Sequence, residues 1–239
     1  MDELPVIEVI ERIESGATSP YRCRLEDEKV YAVKGKGALF SGLISEVVCA
    51  KLGKELGLPI PDFAIARVEK ELVSAANDKE LERAVGEGLA FASVWHEPTV
   101  PINRSRLIEL DQTLLAKIYV FDHWIQNGDR SLTELGGNPN MLIDLRDNSL
   151  VMIDHNLAIF SGYDPEELKV HACREAWLDE GQNLVFKQEC KTAFTAAIGK
   201  VPEIVQSLPD DWLHSEPQAE ERILQVLGRA IYNQFWDEL

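Results

Sequence analysis

Two short runs of alternating apolar and polar side chains, YRCRL at 21–25 and VYAVK at 30–34, flank the charged turn EDEK and predict a β-hairpin. A loop of small and hydroxyl residues, SGATSP at 15–20, leads into it. The preceding VIEVIERIE, 6–14, fits both the helical and the strand period, so a short helix and a strand both stay open. From Gly42 to Gly57 the apolar spacing is helical; glycine ends the run and LPIP prevents its continuation. FAIARVE then reads as a strand, 70–86 as polar helix, and LAFASVW at 89–95 as another strand. The proline-punctuated HEPTVP that follows is the best boundary between two parts of the chain. Beyond it, RLIELDQTLLAKIYVFDHWIQN predicts one or two helices ending near Asn127. GDRSLTELGGNPN is a polar loop, MLIDL and LVMID form a second hairpin around RDNS, and the remainder is largely helical. The pattern gives an α+β fold.

Composition narrows the class. The 239 residues can bury a substantial core yet are short for two full-sized domains, and 45% hydrophobic with 27% charged residues is globular usage. A formal charge of −17, from 41 acidic against 24 basic residues, repels phosphate backbones and anionic bilayers, which argues against nucleic acid or membrane as a direct partner. Most of that charge reads simply as solvated surface. Cys23, Cys49, Cys173 and Cys190 show no metal or disulfide spacing, and His171 with Cys173 lacks a second pair. The acidic start MDELPVIEVIE is no signal peptide, so a cytoplasmic protein is expected.

The parts needed for phosphoryl transfer occur in order along the chain. They are a loop over the phosphates, a lysine on them, a carboxylate holding the lysine, an orienting carboxylate and metal ligands. Lys34 ends the VYAVK strand, on the opposite side from Val33. Alone it is weak, since strand-end lysines are usually solvated and Lys36 competes. Glu46 projects onto a helix face with Leu43, Cys49 and Ala50, and a carboxylate on an apolar face needs a partner, which Lys34 supplies. Gly16, Thr18 and Ser19, with Ser15, offer backbone access and hydroxyls in the first loop. Asp129 follows a helix, Asn138 and Asn140 open the second hairpin, and Asp154 closes it. Those positions suit the oxygen ligands of magnesium.

SGATSP, YAVK, ISEVVCAKLGKELGLPIP, the connector after FASVW, NGDR, NPNMLID and MIDHN together resemble the HipA-like kinases, a bacterial branch of the atypical kinases related in fold to the phosphoinositide 3-kinases. The resemblance implies two lobes, a mostly β small lobe over 1–97 and a helical large lobe over 98–239. It implies ATP and Mg2+ as cofactors, Lys34 on the phosphates with Glu46 paired to it, and Asp129 as the catalytic aspartate supported by Asn127 and Arg130. Asn140 and Asp154 become magnesium ligands, and the backbone of Ser93, Val94, Trp95, His96 and Glu97 the adenine-binding hinge. The implied activity is a serine/threonine-protein kinase acting on a protein substrate or companion. AMP transfer and a catalytically silent module are the alternatives. Three departures are visible: Ser131 stands where many relatives carry histidine, the stretch from Asp129 to Asn140 is long enough that Glu134 or Asn138 competes as ligand, and the chain is shorter than full HipA toxins.

Overall fold

The computed structural model describes residues 3–14, 18–181 and 183–239. Five strands close into a barrel in the order β1-β2-β3-β5-β4. They are β1 (Glu3–Arg12), β2 (Tyr21–Leu25), β3 (Val30–Lys34), β4 (Phe63–Val68) and β5 (Gly88–Val94). The ambiguous segment at 6–14 belongs to a strand. β1 pairs antiparallel with β2 on one edge and parallel with β4 on the other, with Glu3 opposite Ile65. Two ladders of backbone hydrogen bonds prevail over a helix too short to be stable alone. Inside the barrel, Tyr21, Cys23, Leu25, Tyr31 and Val33 meet the small side chains of Ala64, Ala66, Ala90 and Ala92. Alternation turns Lys34 to the outside of this core.

A helix, α1 (Leu39–Glu55), lies against the outer face of the barrel. It starts three residues earlier than the apolar pattern predicts and stops before Gly57, whose φ of +72° is costly for any side-chain-bearing residue. Polar residues 70–86 form two short helices, α2 (Lys70–Ala76) and α3 (Lys79–Ala84). The Asp78 carboxylate caps α3 by accepting from the Glu80 and Leu81 amides.

The connector contains a strand that the sequence pattern does not reveal, β6 (Thr99–Pro101). It is an edge strand, where prolines at 98 and 101 cost little, and it pairs with β7 (Met141–Asp144), which pairs in turn with β8 (Ser149–Met152). Between β6 and β7 the long periodic stretch is two helices, α4 (Arg104–Glu109) and α5 (Gln112–Ile125), separated where the Asp111 carboxylate caps the second. The chain then continues through α6 (Arg174–Glu180), α7 (Leu184–Ile198), α8 (Val201–Gln206), α9 (Asp210–Ser215), α10 (Ala219–Gly228) and α11 (Asn233–Asp237).

These helices share a second, larger apolar core. α1 belongs to it, together with Ile65 and Phe91 from the outside of the barrel. Trp124 stacks on Phe194 with ring centroids 4.2 Å apart and donates its indole N–H to Leu227 O at 2.8 Å, so α5 is held from two sides. Trp177, Trp212 and Trp236 lie in the same core, whereas Trp95, just after β5, is only half-buried. Among the described residues no helix is long and apolar enough to cross a membrane.

Candidate active site

The site lies where β3, α1 and the end of the β7–β8 hairpin meet. Lys34 Nζ donates to Glu46 Oε1 and to Asp154 Oδ1, each at 2.6 Å. Lys34 and Glu46 are both buried, Asp154 less so. Burial pushes the Lys34 ammonium down, but the Glu46 and Asp154 carboxylates outweigh it and hold the group charged well above its ordinary range. Glu46 is the mirror case: burial pushes its carboxyl up, and Lys34 with His155 carries it below the usual value. Its second oxygen accepts the His155 backbone N–H at 3.1 Å. Lys36 is exposed and takes no part.

Asp129 is half-buried on the loop after α5. Its Oδ2 accepts from Asn138 Nδ2 at 2.8 Å and from Asn140 Nδ2 at 3.0 Å. Burial raises its carboxyl above the ordinary aspartate value, with Asp154 adding to the push and the two amides resisting it. Gly128 leaves room beside it: a Cβ there would lie 1.6 Å from Glu167 Oε2. Asn140 (φ 47°) and Asp154 (φ 62°) both adopt left-handed backbone, which ends the hairpin ladder two residues before Asp154. Glu134 points elsewhere; it is exposed and lies 3.8 Å from Arg104 Nη1.

Asn127 and Arg130, read from the sequence as members of the catalytic loop, have no access to solvent. Their partner is Asp122 on α5, equally buried. It accepts from Arg130 Nε at 2.6 Å, Asn127 Nδ2 at 2.9 Å and His171 Nε2 at 2.9 Å. Burial works to raise this carboxyl; Arg130 and His171 bring it well below the usual range. Arg130 Nη1 donates to the carbonyls of Pro139, Asn140 and Ile153 at 3.2, 2.6 and 3.3 Å. Its Nη2 lies 3.3 Å from His155 Nε2. Sequence reasoning gives Asp122 and His155 no role of their own and weighs His171 only as a metal ligand with Cys173. Asp122 carries the same signal as Glu46, a carboxylate amid Phe121, Trp124 and Ile125 on an apolar helix.

The remaining sequence candidates are more scattered. In the connector, the amides of Val94 and Trp95 are committed to Asp62 O and Val30 O, at 2.8 and 2.9 Å. Ser93 pairs within the barrel opposite Ala32 and Phe63. Trp95 Nε1 donates to Glu97 Oε2 at 2.9 Å beneath Arg22, and His96 Nδ1 lies 3.0 Å from Asp144 Oδ2. Thr18 and Ser19 line a hollow of about 290 Å³ with Arg12, Gly37, Glu80, Arg83 and Ala84; Lys34, Asp129 and Asp154 are not part of its wall. Gly16 and Ser15 fall outside the described residues.

The donor chemistry at the hairpin end suits a hard cation. Asp154 Oδ2, Asn140 Oδ1 and Asp129 Oδ1 accept no hydrogen bond from the described residues, since Asp154 uses Oδ1, Asn140 uses Nδ2 and Asp129 uses Oδ2. No group of three or more histidine, cysteine, aspartate or glutamate side chains among the described residues is placed to hold a metal. One carboxylate and one amide, completed by substrate phosphates, is a magnesium-type arrangement.

The family described as HipA-like kinase matches residues 6–239. No curated protein is similar enough in sequence to count as a relative. Among solved structures, a Helicobacter pylori proinflammatory kinase, CtkA, superposes with a TM-score of 0.52 at 12% identity, covering 96% of both chains. At that identity the likeness is one of fold, and the fold is that of a kinase. A Golgi casein kinase with Mn/ADP bound gives a TM-score of 0.46 at 13% identity over 95% of this chain and 73% of the other.

Proposed function

Because this chain belongs to the HipA-like kinase family, we propose that it transfers the γ-phosphoryl group of ATP to a serine or threonine hydroxyl of a protein, with Mg2+ as cofactor. The observation that carries the reading is the position of Lys34, held between the helix carboxylate Glu46 and the hairpin-end carboxylate Asp154. Two of its three N–H groups are used there, and the third serves a nucleotide phosphate. In this reading the barrel with its connector is the small lobe and the helical body the large one, the adenine sitting between them. With the Val94 and Trp95 amides already paired, the hinge donors are the amides of His96 and Glu97.

Asn140 Oδ1 and Asp154 Oδ2 would hold the magnesium, which when bound neutralises the charge on the phosphates. Asp129 presents Oδ1 to the acceptor hydroxyl and takes its proton, because Oδ2 is fixed by Asn138 and Asn140. Their two N–H bonds orient the carboxylate, and its raised pKa makes it a better base than a solvated aspartate. Asn127 and Arg130 hold the loop from behind. Incubation with ATP labelled separately at the α and γ positions tests the chemistry. Label from the γ position is expected on a protein hydroxyl; label from the α position alone would replace phosphoryl transfer with AMP transfer.

A further inference from the structure

The Arg130 guanidinium touches both strand ends that carry the proposed magnesium ligands. It donates to the carbonyl of Asn140 itself and to that of Ile153, the residue before Asp154. Arginine only donates, so the His155 nitrogen facing it, Nε2, must be the acceptor and Nδ1 must carry the proton. Nδ1 lies 3.8 Å from Glu46 Oε2, beyond hydrogen-bond distance, and it is the His155 backbone N–H that reaches the same oxygen, at 3.1 Å. Glu46 then holds Lys34. A continuous buried chain therefore runs Asp122, Arg130, His155, Glu46, Lys34. Two left-handed backbones, at Asn140 and Asp154, stand beside it. Such backbone persists only where surrounding bonds over-determine it.

We infer that Arg130 and His155 are positioning residues, which set the geometry of Asn140 and Asp154 through their backbones and couple it to the Lys34–Glu46 pair. This rests on the reading of Asn140 and Asp154 as magnesium ligands. Neither Arg130 nor His155 reaches a substrate, since both are buried. Asp122 fixes the direction of the guanidinium by engaging Nε at 2.6 Å and Nη2 at 3.5 Å, which leaves Nη1 for the three carbonyls and turns Nη2 toward His155 as well. A lysine at 130 keeps the charge but has a single nitrogen, which cannot serve Asp122, three carbonyls and an imidazole at once. Glutamine at 155 retains a side-chain acceptor for Arg130, which leucine lacks; either residue keeps the backbone N–H on Glu46.

The test compares His155→Leu, His155→Gln and Arg130→Lys with the wild-type chain by two readouts. The first is amide hydrogen exchange of the nucleotide-free protein across 138–156, with the amides of Ile153 and His155 as reporters. The second is the magnesium concentration giving half-maximal nucleotide turnover. In His155→Leu and Arg130→Lys, exchange at the hairpin end is expected to accelerate about tenfold while α7 and α10 keep their protection. The magnesium requirement should rise about tenfold or more, as for other groups that orient metal ligands. His155→Gln should return both to near wild type. The proposal is overturned if the leucine and lysine variants leave hairpin exchange unchanged, or if exchange rises evenly through α7 and α10. Failure of the wild-type chain to use Mg-ATP would remove the kinase reading alone, and the exchange data would still decide on the positioning role.

Discussion

Asn140 and Asp154 hold the same left-handed backbone, φ 47° and 62°, at the open end of one hairpin, and Asn140 O accepts the Ile153 amide at 3.0 Å. Asparagine and aspartate tolerate this region better than other chiral residues. Side chain and backbone requirements therefore coincide at both positions. Glycine should relieve the strain that alanine keeps, so Asn140→Gly and Asp154→Gly should be more stable than their alanine counterparts by about 1 kcal/mol. All four variants should lose magnesium-dependent nucleotide binding. Urea unfolding and a magnesium titration check the two halves separately. Asn138→Ala removes one of the two amides on Asp129 and should cost turnover only moderately, on the order of 1 kcal/mol in the barrier.

Lys34→Met is expected to abolish nucleotide binding and also to destabilise the fold by about 3–5 kcal/mol, because it leaves Glu46 charged and buried without its lysine. Adding Glu46→Gln should recover much of that stability and none of the binding. A double-mutant cycle on urea midpoints measures the coupling. Near-additive losses would mean that the two side chains do not depend on one another. Lys36→Ala, at an exposed position, should stay within about 0.5 kcal/mol.

For Asp129→Asn, phosphoryl transfer should fall by roughly 10²–10⁴-fold, the range for loss of a general base. Nucleotide affinity, followed by thermal shift with Mg-ATP, should remain close to that of the wild-type chain. Undiminished turnover in this variant would remove Asp129 from the chemistry.

Acid sensitivity should come first from histidine. His123 is buried beside Tyr163 and Phe235, and burial, with Arg229 adding to it, lowers its pKa from the ordinary 6.5 to about 3. Between those values the unfolded chain binds a proton that the folded chain refuses. Stability therefore falls as pH drops below 6.5, by up to about 1.4 kcal/mol per pH unit for this group. His171, lowered by burial against the pull of Asp122, acts in the same direction. The depressed Asp122 loses its contribution only below the ordinary carboxylate range, outside this window. His123→Asn keeps an acceptor for Tyr163 and should flatten the slope of unfolding free energy between pH 6 and 4 by roughly one proton. Urea titrations at four pH values in that interval measure it; an unchanged slope would assign the proton to another group.

Much of the strand and helix pattern was legible because its signals are local. The first hairpin rests on alternation, α1 on helical spacing with a terminal glycine, and Glu46 on the rule that a carboxylate on an apolar face needs a partner. Long-range pairing was not legible. Nothing in VIEVIERIE announces that β1 lies parallel to β4, and prolines 98 and 101 conceal β6 because edge strands tolerate them. The Asp122 network was missed although the Glu46 argument applies to it equally. Its partners Arg130 and His171 are 8 and 49 positions away, too far for helical projection to suggest. From the sequence Asn138 competes with Asn140 as a metal ligand; its bond to Asp129 arises because the long GDRSLTELGGNPN loop folds back, with the Ser131 amide donating to Asn138 O.

The distribution of the five tryptophans makes the two cores optically unequal. Trp124, Trp177, Trp212 and Trp236 all sit among the helices, and the barrel interior contains none. Intrinsic emission from an unfolding sample therefore follows the helical body almost alone. Opening of the barrel is dark except through Trp95, which lies under Arg22 in the connector. A denaturation curve recorded by fluorescence and one recorded by far-ultraviolet dichroism will diverge if the strands separate first, and quenching of that single indole is an optical reporter for any molecule that settles against the connector.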